Sequence, residues 1–413
     1  MDTVANDKTA SLIAPAASGE RYTEIDALRG FALFGILLAN LPVWVGLPFA
    51  GPRAPNLMGT VSPAVFGAFF NGVLDGKFYT IFSLLFGLGF TLQLERLEAR
   101  GAAGTRIFLR RMAVLLVFGL VHLSFIWSGD ILMLYALMGF TLPLFRHLSD
   151  RALLVAAALL LFVLPPLLVR FVNDADPGFE GGLFGWAVGI YQASGGTGTM
   201  ETYFDELATG GWRDWWQRAQ SEWAFGIVGR IADWRFLKVL GTMLLGMWAG
   251  RMLLRGALLE NRRLLWTTLV AGLAVGAPLN VIYAGLPPHS QTHWSSLFGT
   301  APLGLAYAAA FLLAIPHLPR LRRALADAGR MALTNYITTS VVMGLLFYGI
   351  GFGMMGTLHI PETYAIGFAF FAAMLAWSRW WLARHRQGPL EWLWRKLTYG
   401  APLKARTPVA ATG

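Results

Sequence analysis

IDALRGFALFGILLAN, residues 25–40, is the stretch whose reading decides the fold. It is apolar enough to enter a bilayer, yet it carries Asp26, Arg29 and Asn40. On insertion scales a charged side chain at the centre of a spanning helix costs roughly 2.5–3.5 kcal/mol, so such groups persist where they are paired, near an interface or functional. Asp26 and Arg29 are three residues apart and share a helix face, which allows them to pair. At about 1.5 Å of rise per residue, Asn40 lies roughly 21 Å beyond Asp26. One helix thus marks two polar levels, one at each end.

The remainder of the 413-residue chain has the same character, with 56% hydrophobic residues, 14% charged residues, 47 Gly and 16 Trp. A soluble domain has roughly 45–50% apolar and about 25% charged residues, so the composition is that of a polytopic membrane protein. Trp suits the membrane interface and Gly the close approach of helices. With no Cys, disulfides and thiolate metal sites are excluded. The formal net charge of +10 does not indicate nucleic acid, because the basic residues lie between apolar runs and not on one face of a soluble domain.

Runs long enough to cross a core about 30 Å thick fall at 25–46, 78–94, 107–127, 131–148, 152–172, 236–254, 264–284, 297–316, 332–352 and 363–383. The expected fold is therefore an all-α membrane protein of about ten transmembrane helices with amphipathic interfacial helices. Arg96, Arg100, Arg106, Arg110 and Arg111 crowd the second connection, Arg251, Arg255, Arg262 and Arg263 the sixth, and Arg320, Arg322, Arg323 and Arg330 the eighth. The odd connections 128–130, 285–296 and 353–362 hold no Lys or Arg. By the positive-inside rule both termini are cytoplasmic.

The expected organisation is a disordered tail over 1–20, a first five-helix half over 21–172, an extracytoplasmic segment over 173–235, a second half over 236–400 and a disordered tail over 401–413. In the first outer connection, VFGAFFNGVLDGKF is a short apolar segment able to re-enter the membrane. In the long outer segment, WRDWWQRAQSEWAFGIVGRIADW alternates Trp and charge at helical spacing and reads as an amphipathic surface helix. GPLEWLWRKLTYG reads likewise at the inner surface.

Depth arithmetic gathers Asn40, Asp75, Lys77, His122 and Asp130 near one outer level, since His122 lies roughly 24 Å beyond Arg106 along its helix. A His beside a carboxylate suits general acid/base chemistry, because imidazole titrates near neutral pH and the carboxylate fixes its tautomer. His122 with Asp130 is the leading pair. The plainer reading is an interfacial His bonded to a carbonyl, with Asp130 capping the fourth helix. At the inner level, Arg29, Arg110 and Arg111 form a rim of guanidinium forks fit for a phosphate-bearing donor, although topology alone also asks for Arg there. In RMALTNYITTS, Asn335 is the best cavity-lining candidate. His289 and His293 are four apart, but with no third ligand they do not read as a zinc site.

RYTEIDALRGFALFGILLAN, GKFYTIFSLLFGLGF, FLRRM, GLVHLSFIWSGDILMLYAL, AGRMALTNYITTS and GPLEWLWRKLTYG together resemble the YeiB-like family of bacterial inner-membrane proteins, with the last two similar to its C-terminal domain of unknown function. More distantly, the opening is similar to transmembrane acyltransferases of the bacterial sugar O-acyltransferase and lysosomal heparan glucosaminide N-acetyltransferase types. That resemblance implies an acyl-CoA co-substrate entering from the cytoplasm, no bound cofactor, and a glycan or lipid acceptor outside. Asp26, Arg29 and Gly30 match the first-helix residues of those enzymes, and RIFLRR their basic cluster. Asn40 stands where the sugar O-acyltransferases carry their catalytic His, and the lysosomal branch resembles this chain in having Asn there. The lysosomal enzyme's own His has no counterpart, because residues 41–77 contain none. Either His122 serves in its place or the scaffold has lost this chemistry.

Two functional readings follow. In the first, a donor held by Asp26, Arg29, Arg110, Arg111 and Asn335 meets an acceptor deprotonated by His122, with Asp130 orienting it and Asn40, Lys77 and Asp75 completing the outer site. In the second, the protein carries a small amphiphile across the membrane, or binds lipid in a vestigial pocket. The bilayer is the expected partner, and a homodimer stays open.

Overall fold

The computed structural model describes residues 22–196, 200–286 and 291–399. The expected tails over 1–20 and 401–413, together with His289, lie outside the described residues. Every element among the described residues is helical. The first half comprises α1 (Thr23–Trp44), α2 (Lys77–Ala99), α3 (Gly104–Phe125), α4 (Leu132–Thr141) and α5 (Asp150–Ala175). Three helices follow: α6 (Phe179–Ala193), α7 (Met200–Thr209) and α8 (Trp212–Ala232). The second half comprises α9 (Arg235–Leu254), α10 (Arg262–Ala284), α11 (Trp294–Ala314), α12 (Pro319–Arg330), α13 (Ala332–Phe347) and α14 (Ile360–Leu382), and α15 (Pro389–Tyr399) closes the described chain.

Eight of these, α1, α2, α3, α5, α9, α10, α11 and α14, are long and apolar enough to cross a membrane, and α4 and α13 are shorter apolar helices. The protein is an all-α, multi-pass membrane protein. Each expected run coincides with one helix. Two end early for local reasons. The fourth helix tightens into a 3-10 turn at Leu142–Phe145, where Pro143 cannot donate to the ladder. The ninth stops at Phe347, where Tyr348 turns extended and a glycine-rich turn follows, with Gly353 and Gly356 at positive φ. In α5 the ladder widens to a π-turn at Leu159–Val163 just before Pro165 and Pro166, which lack the N–H groups the regular ladder would use.

Glycines set the closest helix crossings. A Cβ on Gly87 would overlap the carbonyl of Met243, and one on Gly246 that of Leu84, so α2 and α9 touch backbone to backbone. Gly30 and Gly329 do the same for α1 and α12. The glycine of ALRG is thus explained by packing. Between the two polar levels, Leu33, Phe90, Met112, Leu115, Tyr135 and Leu333 fill the bundle with a buried apolar layer.

The α15 helix does more than lie on a surface. Its Glu391 accepts hydrogen bonds from the N–H groups of Leu333 and Thr334 at 2.7 and 3.1 Å and from Thr334 Oγ1 at 2.6 Å, so it caps α13 from another helix. Its Trp394 donates from Nε1 to the Arg111 carbonyl at 3.0 Å, and the Arg111 guanidinium lies 3.9 Å over the same ring.

The amphipathic helix expected in the long connection is α8, but its faces are the reverse of a solvated charge stripe. Arg218, Glu222 and Arg230 are buried, while Trp212 and Trp216 are exposed. Trp216 stacks on Phe125 of α3. Charges turn inward because their partners lie there: the Ser128 carbonyl of the α3–α4 hairpin accepts from Arg230, Arg218 pairs with Glu222, and Tyr203 of α7 donates to Glu222.

Candidate functional site

A cavity of about 400 Å³ opens beneath this roof, at the end of the bundle that carries Asn40. Asn40 and Ile36 of α1, Tyr79 of α2 and Tyr336 of α13 line it from the bundle. Asp75 and Gly76 close it from the first connection, and Trp127, Ser128, Gly129 and Ile131 from the α3–α4 hairpin. Tyr191, Tyr203, Phe225 and Arg230 enter from the roof, and Arg235 from the start of α9. The volume is in the range, roughly 300–1,000 Å³, of sites for drug-sized ligands.

Local backbone features aim these groups. The π-turn Phe70–Leu74 ends in Asp75 with an extended backbone, and Gly76 reverses the chain at φ 83 into α2. Asp75 is thereby held at the rim of α2 with little freedom. Its Oδ2 accepts the Tyr283 hydroxyl, and its Oδ1 accepts Gln291 Nε2 at 2.8 Å. Each carboxylate oxygen keeps a lone pair for a further donor. Between α8 and α9 the turn passes through Trp234 at φ 51, the one non-glycine residue at positive φ among the described residues. A bulky side chain there is strained. The turn sets Asp233 and Arg235 as an ion pair, with the guanidinium 5.6 Å over the Tyr79 ring.

Arg230 is 6% exposed. Its two terminal nitrogens donate to the carbonyls of Gly226 and, at 3.2 Å, Ser128, while its Nε has no partner. No carboxylate lies within ion-pair distance of Arg230 among the described residues. Gly226 makes this contact possible, since a Cβ there would crowd Leu123, the Ser128 carbonyl and Arg230 itself.

The expected pair forms. His122 Nδ1 and Asp130 Oδ1 are 3.0 Å apart and both side chains are fully buried, although the ring N–H is not aimed at the oxygen well enough for a hydrogen bond. The other carboxylate oxygen of Asp130 accepts the Met133 N–H at 2.7 Å and so caps the start of α4. One Asp130 side chain thus both stands beside His122 and caps α4. However, neither His122 nor Asp130 lines the cavity. They stand behind its floor, where the His122 ring lies 5.1 Å from the Tyr336 ring and the Tyr336 hydroxyl accepts the Ile131 N–H at 3.2 Å. As placed, His122 cannot reach a molecule in the cavity.

Other expected members divide. Asn40 and Asp75 face the cavity together. Lys77 does not: it is fully buried, donates to the Asn71 carbonyl and sits 5.3 Å from the Tyr283 ring. At the opposite end, Asp26 and Arg29 form an ion pair, and Arg111 donates to Gln93 Oε1 at 2.7 Å. Arg110 is exposed on a different face of α3, because consecutive residues diverge by about 100° on a helix, and so it does not join Arg29 and Arg111. Asn335 does not line this cavity. Its amide donates to the Ala328 carbonyl at 3.0 Å and to Ser378 Oγ at 2.9 Å, tying α13 to α12 and α14. His293 caps α11 by accepting the Ser295 N–H.

Arg230, Arg235, Tyr79, Tyr336 and Gln291 were not expected in the outer site. A signal for the arginines was present, since the positive-inside rule leaves basic residues in an outer connection without a topological reason. The segment's length hid it, because long connections escape the rule.

The family description that matches the chain is "Protein of unknown function (DUF418)", over residues 249–401. The chain is 30% identical to the uncharacterized protein YxaH of Bacillus subtilis (strain 168), across 97% of this chain and 100% of the relative. It is 30% identical to an uncharacterized 39.9 kDa protein in the amylase 3' region of Bacillus acidopullulyticus, covering 93% of this chain and 96% of that one. It is 28% identical to the uncharacterized protein YeiB of Escherichia coli (strain K12), covering 92% and 97%. No solved structure matches the chain. With relatives aligned end to end and the C-terminal region matched by its family model, the chain belongs to the YeiB-like, DUF418-containing family of membrane proteins.

Proposed function

We propose that this protein is an acyltransferase of the bacterial inner membrane, passing an acyl group from a cytoplasmic acyl-CoA to a glycan or lipid acceptor bound in the outer cavity. The observation that carries the reading is the cavity itself, lined by the Asp75 carboxylate, the Asn40 amide and the guanidinium groups of Arg230 and Arg235. Asp75, anchored by Tyr283 and Gln291, accepts the proton of the acceptor hydroxyl or amine as that atom attacks the acyl carbonyl. Asn40 and Arg230 donate to the oxyanion that develops, and its collapse breaks the C–S bond and releases CoA, whose sulfur takes the proton back from Asp75. His122 and Asp130 act from behind the floor by fixing Tyr336 and the α4 start. The base is thus reassigned from His122 to Asp75, because a general base must reach the proton it takes.

The donor end is Arg29 and Arg111, about 10 Å below Ile36 at the cavity floor by helix rise. The apolar layer of Leu33, Phe90, Met112 and Leu115 lies between, and an extended thioester arm is the part of a donor able to cross it. Comparative mass spectrometry of envelope glycans and lipids, with the protein present, deleted or carrying Asp75→Asn, tests the reading. An acylated species lost in both altered strains supports it; identical profiles in all three defeat it.

One observation favours transport instead. The two short helices, α4 and α13, occupy the fourth position of each five-helix run, and they meet at the cavity floor through Ile131 and Tyr336. Short apolar segments at corresponding positions of two halves mark the binding site in many transporters. Net accumulation of an amphiphile in proteoliposomes without chemical change would select that reading.

A further inference from the structure

We infer that the outer cavity takes an amphiphile whose head is a phosphate or carboxylate anion and whose apolar part lies along the aromatic wall. The inference rests on the cavity being the substrate site, and it concerns binding alone, so it can stand or fall apart from acyl transfer.

Charge compensation is the first ground. Around the cavity, Arg235 is paired with Asp233, and Asp75 lies within electrostatic range of both Lys77 and Lys238. Asp130 is the carboxylate nearest in effect to Arg230, but it is engaged with His122 and the α4 N-terminus. Four basic side chains therefore face three carboxylates. Burying a guanidinium without a hydrogen-bonded counter-ion is strongly unfavourable. Arg230 is in that condition, with carbonyl partners only and a free Nε at the cavity wall. A bound anion would supply the missing charge, and the guanidinium fork suits phosphate and carboxylate oxygens.

Shape is the second ground. A phosphate by itself would leave most of 400 Å³ unfilled. Trp127, Phe49, Phe184 and Phe225 line the same space, so the remaining volume favours an apolar or ring-bearing portion. Aromatic walls can also hold a quaternary ammonium head. Here Arg230 and Arg235 oppose a cation, which makes the two head types distinguishable.

The test uses the purified full-length protein in phosphatidylcholine nanodiscs, titrated calorimetrically with hexyl phosphate, hexanoate, hexyltrimethylammonium, hexanol and inorganic phosphate. Hexyl phosphate is expected to bind saturably and at least about tenfold more tightly than hexyltrimethylammonium, hexanol or inorganic phosphate. Arg230→Gln should weaken it tenfold or more, and Arg230→Lys by less. Asp75→Asn should bind at least as tightly as wild type, because it removes a like charge, even where transfer is abolished. Equal binding of the cation or of hexanol overturns the anionic head, and equal binding of inorganic phosphate overturns the amphiphile. If Arg230→Gln does not fold, the wild-type ligand series alone decides.

Discussion

Glu391→Ala should destabilise the membrane bundle from outside it. The carboxylate receives two backbone N–H groups and one hydroxyl, all from the first turn of α13. Loss of a capping acceptor costs about 1 kcal/mol, loss of its negative charge at a helix N-terminus about 0.3–1 kcal/mol, and loss of the Thr334 bond about 1 kcal/mol. Together these give about 2–3 kcal/mol. Glu391→Gln keeps the oxygen that accepts both N–H groups and loses mainly the charge, so it should cost about 1 kcal/mol or less. Membrane bundles unfold irreversibly, and the readout is the temperature at which half the protein leaves the monodisperse peak in size-exclusion chromatography after heating. Scaled from smaller domains, the alanine variant should fall by about 3–6 °C and the glutamine variant by about 1–2 °C. Tyr336 lies just inside this turn, so the alanine variant should also bind cavity ligands more weakly. Equal stability of wild type and Glu391→Ala would refute the cap.

Gly87→Leu should abolish recovery of folded protein, because α2 has no room for a Cβ against Met243, whereas Gly185→Ala, with nothing within 4 Å, should express as wild type; fluorescence-detected chromatography compares them. His122→Asn should lower thermal stability and cavity affinity together, since it removes the imidazole beside a buried carboxylate, while Asp75→Asn should remove turnover and also lower stability, since it takes away the carboxylate near the buried Lys77 and Lys238. The Arg53 guanidinium holds the Asp205 carboxyl below its usual range, so the contact between the first outer loop and α7 is complete above the ordinary Asp value near pH 4 and is lost as the pH falls through the lowered one. Limited proteolysis of that loop should therefore accelerate as the pH falls below the ordinary Asp range, and Arg53→Ala should be cleaved faster already at neutral pH, without that acid onset.

The helices were legible because a run of about twenty apolar residues has few other fates. What failed to be legible was facing. The sequence of α8 offers Trp and charge with equal periodicity, and the choice of which stripe turns inward belongs to what lies beneath it. Arg230 therefore went unnoticed, although its burial organises the site. His122 and Asp130 were paired correctly by depth, since both flank one tight hairpin, but depth does not say on which side of a wall a residue stands. Asn40 and Asp75 were placed by the same arithmetic and do reach the cavity. Arg110 and Arg111 illustrate the limit again, being adjacent in sequence and divergent on the helix.

In the proposed reaction an acceptor held in the cavity is acylated with Asp75 as base. The most direct measurement is transfer of radiolabel from acyl-CoA to envelope lipids and glycans by the purified protein in nanodiscs, comparing wild type, Asp75→Asn and His122→Asn at equal folded concentration. Wild type should give a labelled acceptor, Asp75→Asn a fall of roughly 10²-fold or more, and His122→Asn a smaller fall. Label transfer undiminished in Asp75→Asn, or no transfer by wild type to any acceptor fraction, would contradict it.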